Sequence, residues 1–269
     1  MRAEPPVSLT IAGSDSGGGA GIAADLKSFA ANDVHGTMVI TIVTAQNTTG
    51  ISAVGDVDPA MVAAQIDAIA TGFQISSTKT GLLFAPAVAH VVADRAESLP
   101  ELVVDPVLVR SNGSPFLDDQ VVDIYRDALF RHAQVITPNV AEAELLTGMA
   151  IGSRENARAA AEALLGFGAT HVVVTGLLVG DRAIDTHVWN GGGRALESPR
   201  IDTPNVLGTG CSFSATIAAR LARGDSPASA IDRAKAYVAR GIASSAAWHL
   251  GDGHGPIDHF AEAEKSGGL

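Results

Sequence analysis

The sequence predicts an α/β fold, with helices packed on both faces of a mixed but mainly parallel sheet. Short β-branched and apolar runs alternate with longer segments of helical spacing. The runs that read as central strands, such as residues 37–44 (TMVITIVT) and 171–175 (HVVVT), are apolar throughout rather than alternating. That is the pattern of strands covered on both faces. Alanine is frequent in the helical segments, which lets them sit close to a sheet.

The elements follow in order. Residues 8–12 form a first strand that runs into a Gly-rich stretch, and 20–32 carry helical spacing. The strand at 37–44 ends in Gln46-Asn47-Thr48, a polar turn. Asp58 and Pro59 open a helix over 58–71 by N-cap and first-turn logic. Strands are expected at 79–83 and 102–104, and helices at 87–97 and 118–130. A strand at 135–137 precedes a short helix at 142–146, and Ser153 caps a helix over 154–165. The strand 171–175 is followed by a hairpin, 183–189 and 194–199, around three glycines. Two helices, 211–223 and 226–248, close the chain.

Composition limits the function classes. The 269 residues carry a net charge of −11, which disfavours nucleic acid and anionic membranes as partners. Cys211 is the single cysteine, so an internal disulfide and a Cys-based zinc site are both excluded. No apolar run approaches the ~18 residues of a membrane span, and no signal-peptide core follows Met1. A soluble cytoplasmic protein is the expectation.

Two Gly-rich sites stand out. Gly13-Ser14-Asp15-Ser16-Gly17-Gly18-Gly19-Ala20-Gly21 lies between the first strand and the first helix, where α/β sheets bind ligands. It loosely fits a dinucleotide fingerprint, but between Asp33 and Asp56 there is no acid to hold a ribose. Gly208-Thr209-Gly210-Cys211 directly precedes an apolar helix. The first amides of a helix lack internal partners and gather partial positive charge, which suits a transferring phosphoryl group. A thiol there is expected to have a lowered pKa and to accept a proton; the alternative is an inert buried cysteine. None of the four lysines follows a glycine, so no P-loop can be written.

Polar positions complete the candidate site. Asp105 ends a strand and is placed to hold magnesium. Asn139 and Glu142 are spaced as a capping box. Asp25 either reaches back to the Gly-rich loop or faces solvent. Gln46 offers a donor and an acceptor to a heteroaromatic edge. The acids and histidines between His249 and His259 read as a surface tail, since five-residue histidine spacing is not a helical metal pair.

In order and spacing, TIAGSDSGGGAGIAADLKSF (10–29), TAQNTTG (44–50), KTGLL (79–83), VVDPV (103–107), ITPNVAEAELL (136–146), GTGCSFSA (208–215) and GHGPIDHF (253–260) resemble the ribokinase-like superfamily. Within it they resemble the hydroxymethylpyrimidine/phosphomethylpyrimidine kinases of thiamin biosynthesis. The resemblance implies one ribokinase-like α/β/α kinase domain over 1–269, with a small lid. It implies ATP- and Mg2+-dependent phosphorylation of 4-amino-5-hydroxymethyl-2-methylpyrimidine and then of its monophosphate, by a homodimer. Carried over, Gly13, Asp25, Thr44 and Gln46 hold the pyrimidine, and Gly208, Thr209 and Gly210 form the anion hole with Cys211 as base. Asp105 and Glu142 position Mg2+, while Asn139 and Thr175 face the nucleotide. The chain departs from the family at two points. Thr175 stands where members commonly carry a phosphate-binding lysine, and Val206-Leu207 replaces Thr-His before the anion hole. Pyridoxal kinase, a non-catalytic pyrimidine-binding paralogue and a nicotinamide oxidoreductase are the rival readings.

Overall fold

The computed structural model describes residues 4–109 and 117–261; Met1 and Lys265 fall outside them. The order is β1 (Val7–Gly13), α1 (Gly21–Ala31), β2 (His35–Asn47), β3 (Gly50–Asp56), α2 (Pro59–Gly72), β4 (Ile75–Thr80), α3 (Pro86–Ala93), β5 (Leu102–Val104) and α4 (Asp119–Ile124). There follow β6 (Val135–Ile136), α5 (Val140–Thr147), α6 (Arg154–Leu165), β7 (His171–Val179), β8 (Arg182–Trp189), β9 (Gly192–Pro199), α7 (Thr209–Ala222) and α8 (Pro227–Ser245).

The described strands form one sheet in the order β3-β2-β1-β4-β5-β6-β7-β8-β9. From β2 to β7 every neighbouring pair is parallel, and the antiparallel pairs lie at the two edges. Adjacent residues of the central strands face opposite layers. Val104, Ile136, Val172 and Val174 join a core with α2 to α6, whereas Val103, Val135 and Val173 join a core with α1, α7 and α8. This is the three-layer arrangement that the unbroken apolar runs require. β1 lies between β2 and β4, so the strand order reverses there and opens a crevice at the strands' carboxyl ends.

Several boundaries differ from expectation. β4 lies at Ile75–Thr80 rather than 79–83, and its small polar residues are buried against α7. Ser77 Oγ donates to the Ala218 carbonyl (2.8 Å) and so lets that helix approach closely. The expected helix over 118–130 becomes α4, a π turn over Tyr125–Leu129 and a 3-10 turn over Phe130–His132. β2 runs on to Asn47 and pairs antiparallel with β3, so Gln46 and Asn47 end a strand rather than form a turn. β3 was not expected, because all seven of its residues are exposed and it has no apolar pattern to read. The expected N-caps hold: Asp58 accepts from the Ala60 amide and Ser153 from the Asn156 amide. No helix among the described residues is long and apolar enough to cross a membrane.

Candidate active site

The two Gly-rich loops meet at the mouth of the crevice. Gly208 caps α7 in the left-handed region (φ 82°), and a Cβ there would lie 1.9 Å from the Gly19 carbonyl oxygen. Glycine is therefore required twice over, for its φ and for the close approach. The first loop is shaped by Asp15, whose carboxylate accepts from the amides of Gly17, Gly19 and Ala20 (2.8, 2.9 and 2.8 Å). Sequence reasoning missed Asp15; an acid two residues ahead of a glycine run is the signal for such a turn.

α7 begins at Thr209, two residues earlier than expected, so Thr209, Gly210 and Cys211 supply its first amides. Thr209 and Gly210 line a cavity of about 420 Å³. Its walls also include Thr175, Gly176 and Leu178 of β7, Phe213 of α7, and Val238, Ala239 and Ile242 of α8. Gly176 donates its amide to Asp185 (2.9 Å), which pairs with Lys235 (2.9 Å) on the same wall. Thr175 forms a parallel bridge with Asn139, so the two candidate nucleotide residues are adjacent.

Cys211 is half-buried, and the Gly21 amide hydrogen-bonds to its sulfur. Its pKa corrects the sequence expectation. Burial pushes the thiol up to about 12, against the pull of Lys79, so the helix N-terminus does not leave a thiolate at neutral pH.

Beneath Cys211 lies a buried charge cluster. Lys79 at the end of β4 is fully buried, 3.0 Å from Asp25 and 3.9 Å from Asp105. Burial pulls the ammonium's pKa down, but Asp25, Cys211 and Asp105 raise it further, so it stays charged. Asp25 is also fully buried and accepts from Thr10 Oγ1 (2.6 Å). Burial pushes its carboxyl up and Lys79 pulls it down; beside a charged ammonium we take the pair as ionic. The carboxylate thus does not face solvent, and its hydrogen bonds run to Thr10 and Lys79 rather than back to the Gly-rich loop. Lys79 is the second residue missed, and a lysine inside a central strand was its signal.

The remaining candidates sit at the same end of the sheet. Gly13 ends β1, where a Cβ would lie 2.8 Å from Ile42 Cγ2. Thr44 donates to the Ser14 carbonyl (2.8 Å), and Gln46 exchanges two bonds with Ser16 Oγ (2.7 and 2.8 Å). Asp105 follows β5 and accepts from Ser214 of α7 (3.0 Å). Asn139 and Glu142 form the capping box: the Glu142 amide donates to Asn139 Oδ1 (3.0 Å) and the Asn139 amide to Glu142 Oε2 (2.9 Å). Burial first and the Asp105 charge second push the Glu142 carboxyl up to about 8.

The family model for phosphomethylpyrimidine kinase matches residues 15–258. The chain belongs to this family. A hydroxymethylpyrimidine/phosphomethylpyrimidine kinase of Haemophilus influenzae is 43% identical over 260 residues, covering 94% of this chain and 96% of its own. A thiamine biosynthesis bifunctional protein of Geobacter sulfurreducens is 43% identical over 263 residues; the match covers 95% of this chain and 52% of that one, about half its length. Among solved structures, this kinase superposes on the ADP complex of Bacillus subtilis pyridoxal kinase with a TM-score of 0.90 at 34% identity, over 96% and 98% of the two chains. A phosphomethylpyrimidine kinase of Clostridium difficile gives 0.78 at 33% identity, over 88% and 99%. The fold of this kinase is therefore ribokinase-like α/β, as the motifs implied.

The last tract, GHGPIDHF, is not the surface tail expected of it. Gly255, Ile257 and His259 are buried, and the segment packs against the β2–β3 turn, Gly19 and Leu207.

Proposed function

We propose that the chain transfers the γ-phosphoryl group of ATP to the hydroxymethyl oxygen of 4-amino-5-hydroxymethyl-2-methylpyrimidine, and then phosphorylates the monophosphate. The observation that carries this is the junction of the amides at residues 208–211 with the Gly-rich loop at the end of a cavity of about 420 Å³. One side offers a mostly apolar pocket for a nucleotide base, and the other offers Gly13, Thr44 and Gln46 for a small heterocycle. Phosphoryl transfer asks chiefly for alignment and charge neutralisation, which convergent amides supply. We take the β2–β3 hairpin as the lid and the cytoplasm as the location.

Asp105 and Glu142 fit a magnesium ion. Both are buried hard-oxygen groups, and Asp105 raises the Glu142 carboxyl, a repulsion that a cation between them relieves. No group of three or more metal-ligating side chains exists among the described residues, so Asp105 and Glu142 are the two side chains that would hold the ion. Bound there, the ion neutralises phosphate charge. Asn139 shapes the loop beside it through its cap.

Cys211 keeps its proton in the free enzyme, so its base role requires that substrate binding ionise it, with Lys79 as the nearby positive charge. The likeness to pyridoxal kinases, with TM-scores of 0.90 and 0.87, favours pyridoxal as the rival substrate. Incubation with ATP, Mg2+ and each alcohol, read by mass spectrometry, tests both. We expect pyrimidine mono- and diphosphate; pyridoxal phosphate alone would overturn the reading.

A further inference from the structure

Residues 253–259 carry none of the chemistry above, yet they touch the β2–β3 turn, the first Gly-rich loop and the segment ahead of the anion hole. The His254 amide donates to the Thr48 carbonyl in the β2–β3 turn (2.9 Å). The Leu207 amide donates to the Gly255 carbonyl (3.0 Å) and the Ile257 amide to the Leu207 carbonyl (3.4 Å), a short parallel rung directly ahead of Gly208. Pro256 also abuts the first Gly-rich loop, since a Cβ on Gly19 would lie 3.1 Å from Pro256 Cβ.

The far end is anchored in the helices. Tyr237 donates its hydroxyl to the His259 carbonyl (2.7 Å), and Ser244 donates to Asp258 (2.7 Å). The buried His259 ring lies with Nε2 3.1 Å from Ser212 Oγ in the first turn of α7. The glycines are needed for backbone contact. A Cβ on Gly253 would be 1.9 Å from the Thr48 oxygen, and one on Gly255 would be 1.9 Å from Asn205 Oδ1.

α7 starts on a glycine with no side-chain cap bond. Stiffness at that end must come from elsewhere, and oriented amides aid a reaction only if they need no reorganisation. We propose that residues 253–259 are a positioning strap, with His259 on Ser212 and the rung on Leu207 fixing the anion-hole amides against the Gly-rich loop. The inference rests on the phosphoryl-transfer reading for its kinetic consequence, but not for its structural one.

The experiment compares wild type, His259→Leu, His259→Gln and Gly253→Ala as full chains. Amide exchange at Leu207 is read by mass spectrometry, alongside steady-state kinetics with ATP and the pyrimidine alcohol. A misplacement of about 1 Å costs on the order of 10²-fold in rate. We expect His259→Leu to lower kcat at least tenfold with both KM values within threefold, and to speed Leu207 exchange at least tenfold without a matching rise across β5 and β6. His259→Gln, which can still bond Ser212, is expected to recover most of both. Gly253→Ala perturbs the opposite end and serves should His259→Leu not fold. Unchanged Leu207 exchange in both disruptive variants, or a kcat within threefold of wild type, overturns the strap. An inert wild type with faster local exchange in the variants sinks the kinase reading and leaves the strap standing.

Discussion

Lys79 holds a positive charge at zero exposure, balanced by Asp25 at 3.0 Å and Asp105 at 3.9 Å. Removing one partner of such a buried set leaves uncompensated charge, which costs about 3–5 kcal/mol. Lys79→Met is expected to lose about that much stability in urea titrations, and adding Asp25→Asn to recover part of it. An unchanged midpoint for Lys79→Met would remove the cluster from the account of stability. Cys211 gives a second prediction. A thiol raised to about 12 in the free enzyme ionises only at high pH, so if its thiolate is the base, kcat/KM climbs from pH 7 to pH 9. Cys211→Ala is expected to flatten that profile and to lower kcat by about 10²-fold, the lower end for a positioned base. A mutant profile that still rises would assign the proton to another group. These residues also mark the reach of sequence reasoning. Gly208-Thr209-Gly210-Cys211 was legible because glycines before an apolar helix have few other uses. The thiol's pKa was not legible, because it depends on burial and on Lys79, more than 130 positions away in the chain.

At the scale of elements, β7, β8 and β9 share a chain of polar rings. His171 Nδ1 and His187 Nε2 are 3.0 Å apart, and Arg194 Nε lies 3.4 Å from His187 Nδ1. Arg194 donates to His187 Nδ1, so His187 carries its proton on Nε2 and gives it to His171, leaving both rings neutral. Burial, with His171 and Arg194 beside it, lowers His187 to about 3, and burial lowers His171 as well. The unfolded chain protonates its histidines near pH 6.5, whereas the folded one resists. Stability is therefore complete above that pH and falls as pH drops from about 6.5 toward 3, by at most about 1.4 kcal/mol per unit for each histidine. Urea midpoints at pH 7 and pH 5 are expected to differ in this sense, and His187→Phe to narrow the gap. An equal gap in the variant would place the dependence elsewhere. Elements whose apolar runs are buried on both faces were readable, as β1 and β7 were. β3 and the 253–259 segment were not, since one is exposed throughout and the other is held largely by backbone bonds that no side-chain pattern reports.

At the scale of the molecule, the sheet ends on one side in β3, an edge strand with open backbone groups. Val43, Ile51 and Val54 are exposed there by 49%, 41% and 43%. Exposed apolar edges seek partners, and we propose that this edge pairs in the homodimer that the resemblance implies. Light scattering is expected to give the mass of two chains for wild type and of one for Val54→Asp; a monomeric wild type would refute the proposal. The three-layer architecture was legible as a whole, because strand composition and helix spacing agree on it. The order of strands in the sheet was not, because pairing between distant strands leaves no local trace.

The 1.9 Å clearance between a would-be Cβ on Gly208 and the Gly19 oxygen ties together two stretches nearly 190 positions apart in the chain. Anyone building a chimaera with a related enzyme, by grafting either stretch alone, would bring together surfaces shaped for different counterparts. The smallest transplantable unit is therefore spatial rather than contiguous, and it takes in both glycine tracts along with residues 253–259.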